Sequence, residues 1–395
     1  MGLVKSWYMD RELSGIGGSV DKTVCACHID DYAIQSFINK TGENGRCDYC
    51  EEDNIVVEVN ELMVFIMAGI NRLFTDAGEF MPYDSSEGGY LGETFDDNDL
   101  IELIDLNIDN YELQKDICYC IADRAWAKEY GNDKAEILTY GWKYFKEVVK
   151  HHSRYLFSQT SKFHNEETRQ NSFEILNDIG MIARKYGLYT TISSSVALYR
   201  CRQHAIAEVI KPPKDLASPP RQYAIYPNRM SPAGISMFYA GFDRDTAIEE
   251  TIDYNNTKKK RITSGRFLPK CTIRVLDFSR LPQLPSIFDE EKFPDYFPIS
   301  FLKSFVTDLS GSIVHDGKEH IEYVPTQIVT EFFRFTFAET NTLPINGIVY
   351  PSSRCRGKNA CVLFMDHEQS LKELDFDPAS LETIKVGKIS KPTSL

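Results

Sequence analysis

Apolar residues recur at helical spacing between positions 57 and 74 (Val59, Leu62, Met63, Phe65, Ile66, Ile70, Leu73), which predicts an amphipathic helix there. Upstream, 23–51 is turn-rich and cysteine-rich. Downstream, the Gly- and acid-rich stretch 76–96 has too little apolar periodicity for a core element. Residues 98–187 contain no proline and carry further helical patterns at 100–108, 113–130, 137–157 and 166–186, with Gly187 at the expected stop. After Tyr189 the texture changes to short β-rich runs at 196–201, 236–240, 271–278, 347–350 and 361–365, separated by Pro-rich segments such as Pro212-Pro213 and Pro219-Pro220. Helical stretches interrupt them at 244–254 and 326–337. The pattern predicts an α+β protein: a metal knuckle and first helix (1–75), an all-α helical domain (76–192) and a mixed β-sheet domain (193–395).

Composition narrows the class. The 395 residues are 42% hydrophobic and 26% charged, which excludes a disordered or collagen-like chain. Acidic residues outnumber basic ones 58 to 44, and the net charge of −14 argues against a nucleic-acid partner. The one dense basic run, Lys258-Lys259-Lys260-Arg261, is bracketed by Asn256-Thr257 and Thr263-Ser264-Gly265 and reads as a solvated loop. The longest apolar run, 62–70, is far short of the roughly 20 residues that span a bilayer, and the start of the chain lacks a signal-peptide pattern. The expectation is a cytoplasmic protein without a membrane partner, whose ten cysteines are thiols or metal ligands.

Four of those cysteines, Cys25, Cys27, Cys47 and Cys50, are not randomly placed. Cys25-x₂-His28 is followed after eighteen residues by Cys47-x₂-Cys50, with Gly45 in the turn before the second pair. Two such pairs suit a tetrahedral zinc, each short turn presenting two ligands to one ion. Cys27 competes with His28 for the fourth position, but Cys25-x-Cys27 is too tight for ordinary knuckle geometry, so His28 is the expected ligand. With no open position in view, the zinc is expected to be structural.

The C-terminal half carries a spaced set of chemically capable residues: Arg200 and Arg202 on a strand, Asn228-Arg229-Met230-Ser231 in a loop, Tyr239 on the next strand, and Ala247-x₂-Glu250. Gln327 follows at a helix start, then Pro351-Ser352-Ser353 and Asn359. Singly, each is weak. Together, Arg229, Tyr239, Glu250 and Ser352 resemble the Arg, Tyr-Leu-Ala, Ala-x-x-Glu and Pro-Ser order of the RES domain, a bacterial toxin domain. Here Asn228 stands in place of the usual Gly, and Met230-Ser231 in place of Trp-Asn. The knuckle, Glu87-Gly88-Gly89-Tyr90 and the 142–157 helix are similar to the HEPN/RES N-terminal region often joined to it.

The resemblance implies an ADP-ribosyltransferase-like catalytic fold and degradation of NAD, releasing nicotinamide by hydrolysis or by transfer of ADP-ribose to phosphate. The residue chemistry suits this. A carboxylate beside the ribose favours the oxocarbenium-like state of N-glycosidic cleavage, and Glu250 rather than Glu249 fits that part. Guanidinium forks suit a pyrophosphate, which points to Arg229 and Arg200, with Arg202 on the same strand face as a weaker third. Tyr239 suits stacking or ribose binding, and Ser352 suits holding the ribose or amide. Ser353, Gln327 and Asn359 complete the candidate substrate-binding set.

The expected function is thus an NAD glycohydrolase or phosphorylase acting as a toxin or defence effector, with NAD as substrate and structural zinc as cofactor. The chain lacks the Gly-x-Gly-x-x-Gly turn of a redox dinucleotide fold. Two alternatives stay open: an ADP-ribosyltransferase with a protein target, and a catalytically inactive zinc-containing sensor module. RNase activity is not expected, because none of the eight histidines follows an Arg by five to seven residues. A neutralising antitoxin or regulatory partner and a homo-oligomer are open expectations.

Overall fold

The computed structural model describes residues 14–86, 88–128, 134–157, 173–254, 256–311, 318–337 and 344–386. The chain divides into two compact units: Met1–Glu136 with Gln283–Ile299, and Ile137–Pro282 with Ser300–Leu395. This division by contacts falls elsewhere than the segment limits at 75 and 192. Among the described residues no helix is long and apolar enough to cross a membrane.

In the first unit, β1 (Thr23–Cys25), β2 (Glu43–Arg46) and β3 (Asp53–Glu58) form an antiparallel sheet in the order β1-β3-β2. Helix α1 (Tyr32–Thr41) starts at Asp31, whose carboxylate accepts from the backbone N–H groups of Ala33 and Ile34. Helix α2 (Val59–Ile70) is the one predicted from periodicity, and its Leu62, Met63, Ile66 and Ile70 are fully buried. They join Ile34 and Ile38 of α1, Leu100 of α3 (Asp97–Leu103), and Leu113 and Ile117 of α4 (Tyr111–Cys120) in one core.

The segment expected to be all-α is not. The 113–130 pattern ends as a helix at Cys120, and β5 (Trp126–Lys128) pairs antiparallel with β4 (Phe74–Asp76) because Trp126 is drawn wholly into this core. A small hairpin also joins Tyr83–Asp84 to Gly89–Tyr90, and β6 (Tyr189–Ile192) belongs to the large sheet of the second unit. The 166–186 helix is seen as α6 (Glu174–Lys185), its start at 166 lying outside the described residues, and Gly187 closes it at φ +67°.

The second unit is built on an eight-stranded mixed sheet in the order β13-β9-β7-β8-β12-β11-β10-β6. Its members are β6, β7 (Leu198–His204), β8 (Phe238–Gly241), β9 (Arg261–Pro269), β10 (Ile273–Asp277), β11 (Gly347–Pro351), β12 (Asn359–Leu363) and β13 (Leu374–Lys385). All neighbours are antiparallel except β10 and β11. The central strands are apolar on both faces. Leu276, Ile348, Tyr350, Ala360 and Val362 pack under α5 (Lys134–Glu147), α6, α8 (Phe293–Ser310, from residue 300 on) and α9 (Val324–Glu331), whereas Val275, Val349, Cys361 and Leu363 face the opposite side with Leu198, Phe238 and Phe267. That two-sided burial is why their sequences read as short continuous apolar runs.

The basic run is solvated only in part. Lys258, Lys259 and Lys260 are exposed, but Arg261 opens the nine-residue strand β9. Thr263 and Ser264 are buried in it, Thr263 bonding His204 Nε2 (2.8 Å) and Thr383 (2.7 Å). Gly265 is required there, since a Cβ would lie 2.6 Å from the Phe376 ring.

Candidate functional site

Glu250 is carried by α7 (Arg244–Thr251). The helix is capped by Asp243, which accepts from Thr246 N (2.9 Å) and Thr246 Oγ1 (2.8 Å). Its first turn lies hard against the end of β8, where a Cβ on Gly241 would meet Ala247 N at 2.7 Å. Ala247, Glu250 and Thr251, at positions i, i+3 and i+4, line a cavity of about 740 Å³. Glu249 is turned elsewhere and accepts from Tyr254 Oη at 2.9 and 3.0 Å.

The rest of the wall is assembled from distant strands. Gly241 pairs with Tyr199, Tyr239 with Val362, and Tyr350 with Ala360. This brings Tyr199, Arg200, Tyr239, Tyr350 and Ala360 to the same cavity, with Asn228, Arg229, Tyr323, Ser353 and Arg354 from loops and a helix start. Burial pushes the Tyr239 phenol up to about 12, so it stays neutral, and its hydroxyl meets Ser231 Oγ at 2.9 Å and accepts from Met230 N at 3.3 Å. Burial, with the Glu250 charge nearby, holds Tyr350 well above the usual tyrosine range.

The Arg229 loop is a tight turn in which Asn228 and Ser231 exchange backbone bonds. Arg229 Nη1 donates to Leu309 O (3.0 Å) and to Gly311 O. Among the described residues no acceptor meets its Nε–Nη2 edge, the edge that grips a phosphate in bidentate fashion. Arg200 donates from Nε to Ala217 O (3.2 Å) and from Nη1 to Tyr239 O (2.7 Å), and lies 5.0 Å from the Phe238 ring centre. Burial lowers its pKa to about 10, which leaves it cationic at neutral pH.

Ser352 is buried and points to the carboxylate: its Oγ donates to Glu250 Oε1 at 2.5 Å and accepts from the backbone N–H groups of Arg354 (3.2 Å) and Cys355 (3.1 Å). Ser353, exposed, lines the cavity instead.

Besides Ser352, three candidates lie outside the cavity lining. Arg202 is exposed and engaged with Glu208 (2.5 Å) and Asp215 (3.8 Å), because the chain beyond β7 folds back on that strand end. Asn359 donates to Ser279 Oγ (3.1 Å). Gln327 is buried and donates to Asn228 O (2.8 Å) and Ser231 O (3.3 Å), so it holds the Arg229 turn from behind. Residue pattern misses Tyr199, Tyr323, Tyr350 and Arg354; of these only Arg354 carries a sequence signal, its place two residues after Ser352.

In the first unit the ligand atoms of Cys25, His28, Cys47 and Cys50 all lie within 4.8 Å of one another. Cys25 Sγ and Cys50 Sγ are 3.7 Å apart, close to the edge of about 3.8 Å of a tetrahedron with metal–sulfur arms of about 2.3 Å. A single turn of 3₁₀ helix, Ala26–His28, buries His28 and leaves Cys27 exposed, although the Cys27 sulfur stays 2.9 Å from Cys25 Sγ. His28 Nδ1 is 3.0 Å from Asp109 Oδ1, while its buried Nε2 has no partner among the described residues, the arrangement of a metal-ligating imidazole oriented by a carboxylate. Burial opposes ionisation of Cys47, but backbone N–H groups of Tyr49, Cys50 and Cys25 aimed at its sulfur outweigh it and bring the thiol down to about 7. These residues could hold a metal ion.

Two family models match the chain: HEPN/RES N-terminal domain 1 over residues 40–163 and the RES domain over residues 197–379. No curated protein matches it. The RES match covers the whole cavity wall, from Tyr199 to Ala360, and the chain is a RES domain protein with a HEPN/RES N-terminal region.

Proposed function

We propose that the protein consumes NAD by cleaving the bond between nicotinamide and its ribose, as a glycohydrolase or phosphorylase, and acts as a toxin or defence effector. The RES family is associated with NAD-related toxin activity. The observation that carries the reading is a half-buried carboxylate, Glu250, fixed by the Ser352 hydroxyl on the wall of a cavity that also receives Arg200, Arg229 and Arg354. A volume of about 740 Å³ is in the range of about 300–1,000 Å³ typical of ligand pockets.

The chemistry follows from where charge appears. As the C–N bond breaks, its electron pair leaves with the cationic ring, nicotinamide departs neutral, and positive charge develops on the ribose. Glu250 stabilises that charge, and Ser352 keeps the carboxylate in one rotamer so that it need not reorganise during reaction. Water or phosphate then forms the new C–O bond, and the proton it sheds passes to solvent. Arg229, through its Nε–Nη2 edge, and Arg200 hold the pyrophosphate, and Tyr239 faces the ribose or the nicotinamide ring. We read the eight-stranded sheet as ADP-ribosyltransferase-like and the Cys25, His28, Cys47, Cys50 cluster as a structural zinc site.

Incubating the purified protein with NAD, with and without phosphate, tests this. Nicotinamide should appear together with free ADP-ribose or its phosphorylated form. ADP-ribose found only on protein would favour a transferase, and intact NAD would overturn the reading.

A further inference from the structure

The loop after β11 does more than supply Ser352. Arg354 lines the cavity and turns its guanidinium to the end of α7, where Nη1 donates to the carbonyls of Glu249 (2.9 Å) and Ile252 (2.8 Å). The last carbonyls of a helix lack partners within it, and a cation there also meets the negative end of the helix dipole. Through its backbone N–H the same residue donates to Ser352 Oγ, which donates onward to Glu250. The contacts close a ring that runs from helix backbone to Glu250 carboxylate, Ser352 hydroxyl, Arg354 backbone, Arg354 guanidinium and back to the helix.

We propose that Arg354 is a positioning residue that sets the Glu250 carboxylate against the reacting bond by clamping the end of α7 to the serine loop. The inference rests on the NAD-cleaving reading above. A helix of eight residues capped at its start by Asp243 still has its far end to fix, and Ser352 restrains only one carboxylate oxygen. Misplacing a catalytic group by about 1 Å costs about 100-fold in rate, so a clamp on the helix end bears directly on turnover.

Four variants measured for kcat, KM and thermal midpoint test it: Arg354→Met, Arg354→Lys, Glu250→Gln, and Arg354→Met combined with Glu250→Gln. Arg354→Met should lower kcat about tenfold and move KM less than about twofold, with Arg354→Lys recovering most of the loss because its ammonium can still meet one carbonyl. In the Glu250→Gln background the Met substitution should cost less than about twofold, since it acts through a charge already removed. A raised KM at unchanged kcat would overturn the clamp in favour of direct substrate binding. An equal kcat loss in both backgrounds would overturn it in favour of a general scaffold role. Should Arg354→Met not fold, Arg354→Lys carries the test: kcat a few-fold below the parent at unchanged KM supports the clamp, and parental kcat overturns it. Full activity of Glu250→Gln, by contrast, sinks the NAD-cleaving reading at that residue, whereas loss at Glu250 with full activity in Arg354→Met sinks only the clamp.

Discussion

The Cys/His cluster of the first unit draws its four potential ligands from residues 25 to 50, on two tight turns beside a three-stranded sheet. The cavity of the second unit draws its walls from residues 199 to 360, and no two of Arg229, Glu250 and Ser352 are sequence neighbours. Chain-local geometry suffices for a metal site, because each x₂ turn already places two donors together. A substrate cavity needs strand register to bring its parts into reach: Gly241 opposite Tyr199, and Tyr350 opposite Ala360. The two sites should therefore fail differently.

The largest effect is expected in the first unit. Cys47→Ser, or metal chelation, should unfold that region and leave the second unit folded and active, since a structural zinc supplies binding energy on the order of 10 kcal/mol. Metal analysis of the parent should return close to one zinc per chain. Metal-free protein with an intact first unit would remove the contrast between the sites.

Within the cavity the effects should be kinetic. Ser352→Ala removes a hydrogen bond to a charged group, worth about 1.5–3 kcal/mol, and should lower kcat about tenfold or more without a comparable change in thermal midpoint. Arg229→Lys keeps the charge but loses the planar fork, and should raise the KM for NAD several-fold at nearly constant kcat. A lysine variant with the parent's KM would show that the Nε–Nη2 edge of Arg229 is not used.

What was legible in the sequence follows the same line. Helix α2, the knuckle and the apolar strands β10, β11 and β12 are readable because each buries a local pattern. Strand β9 is not, because Thr263, Ser264 and Gly265, buried on alternating faces, are polar or small: Thr263 is satisfied by His204 and Thr383, and Gly265 admits the close approach of Phe376. Strand β13 hides for another reason. It is an edge strand with mostly exposed residues and Pro378 in the stretch where its register against β9 shifts. At the candidate site, helical geometry separates Glu250 from Glu249, whereas Ser352 and Ser353 part in the loop just beyond β11, Ser352 buried and Ser353 exposed. That Ser352 would face the carboxylate rather than the open cavity depends on how α7 meets the β11 loop, which no local pattern encodes. Arg202 shows the converse: it shares a strand face with Arg200, yet the acidic segment carrying Glu208 and Asp215 engages it.

The central claim is that the cavity cleaves NAD through the Glu250 charge, and Glu250→Gln measured beside Glu249→Gln tests it most directly. The two substitutions change the net charge identically one residue apart, but Glu250 lines the cavity and bonds Ser352, whereas Glu249 bonds Tyr254. Release of nicotinamide should fall about 100-fold or more in Glu250→Gln, with NAD affinity nearly unchanged, because the lost interaction exists only as the bond breaks. Glu249→Gln should stay within about twofold of the parent, as substitutions away from the reacting atoms usually do. Equal losses in both variants, or full activity in Glu250→Gln, would contradict the account.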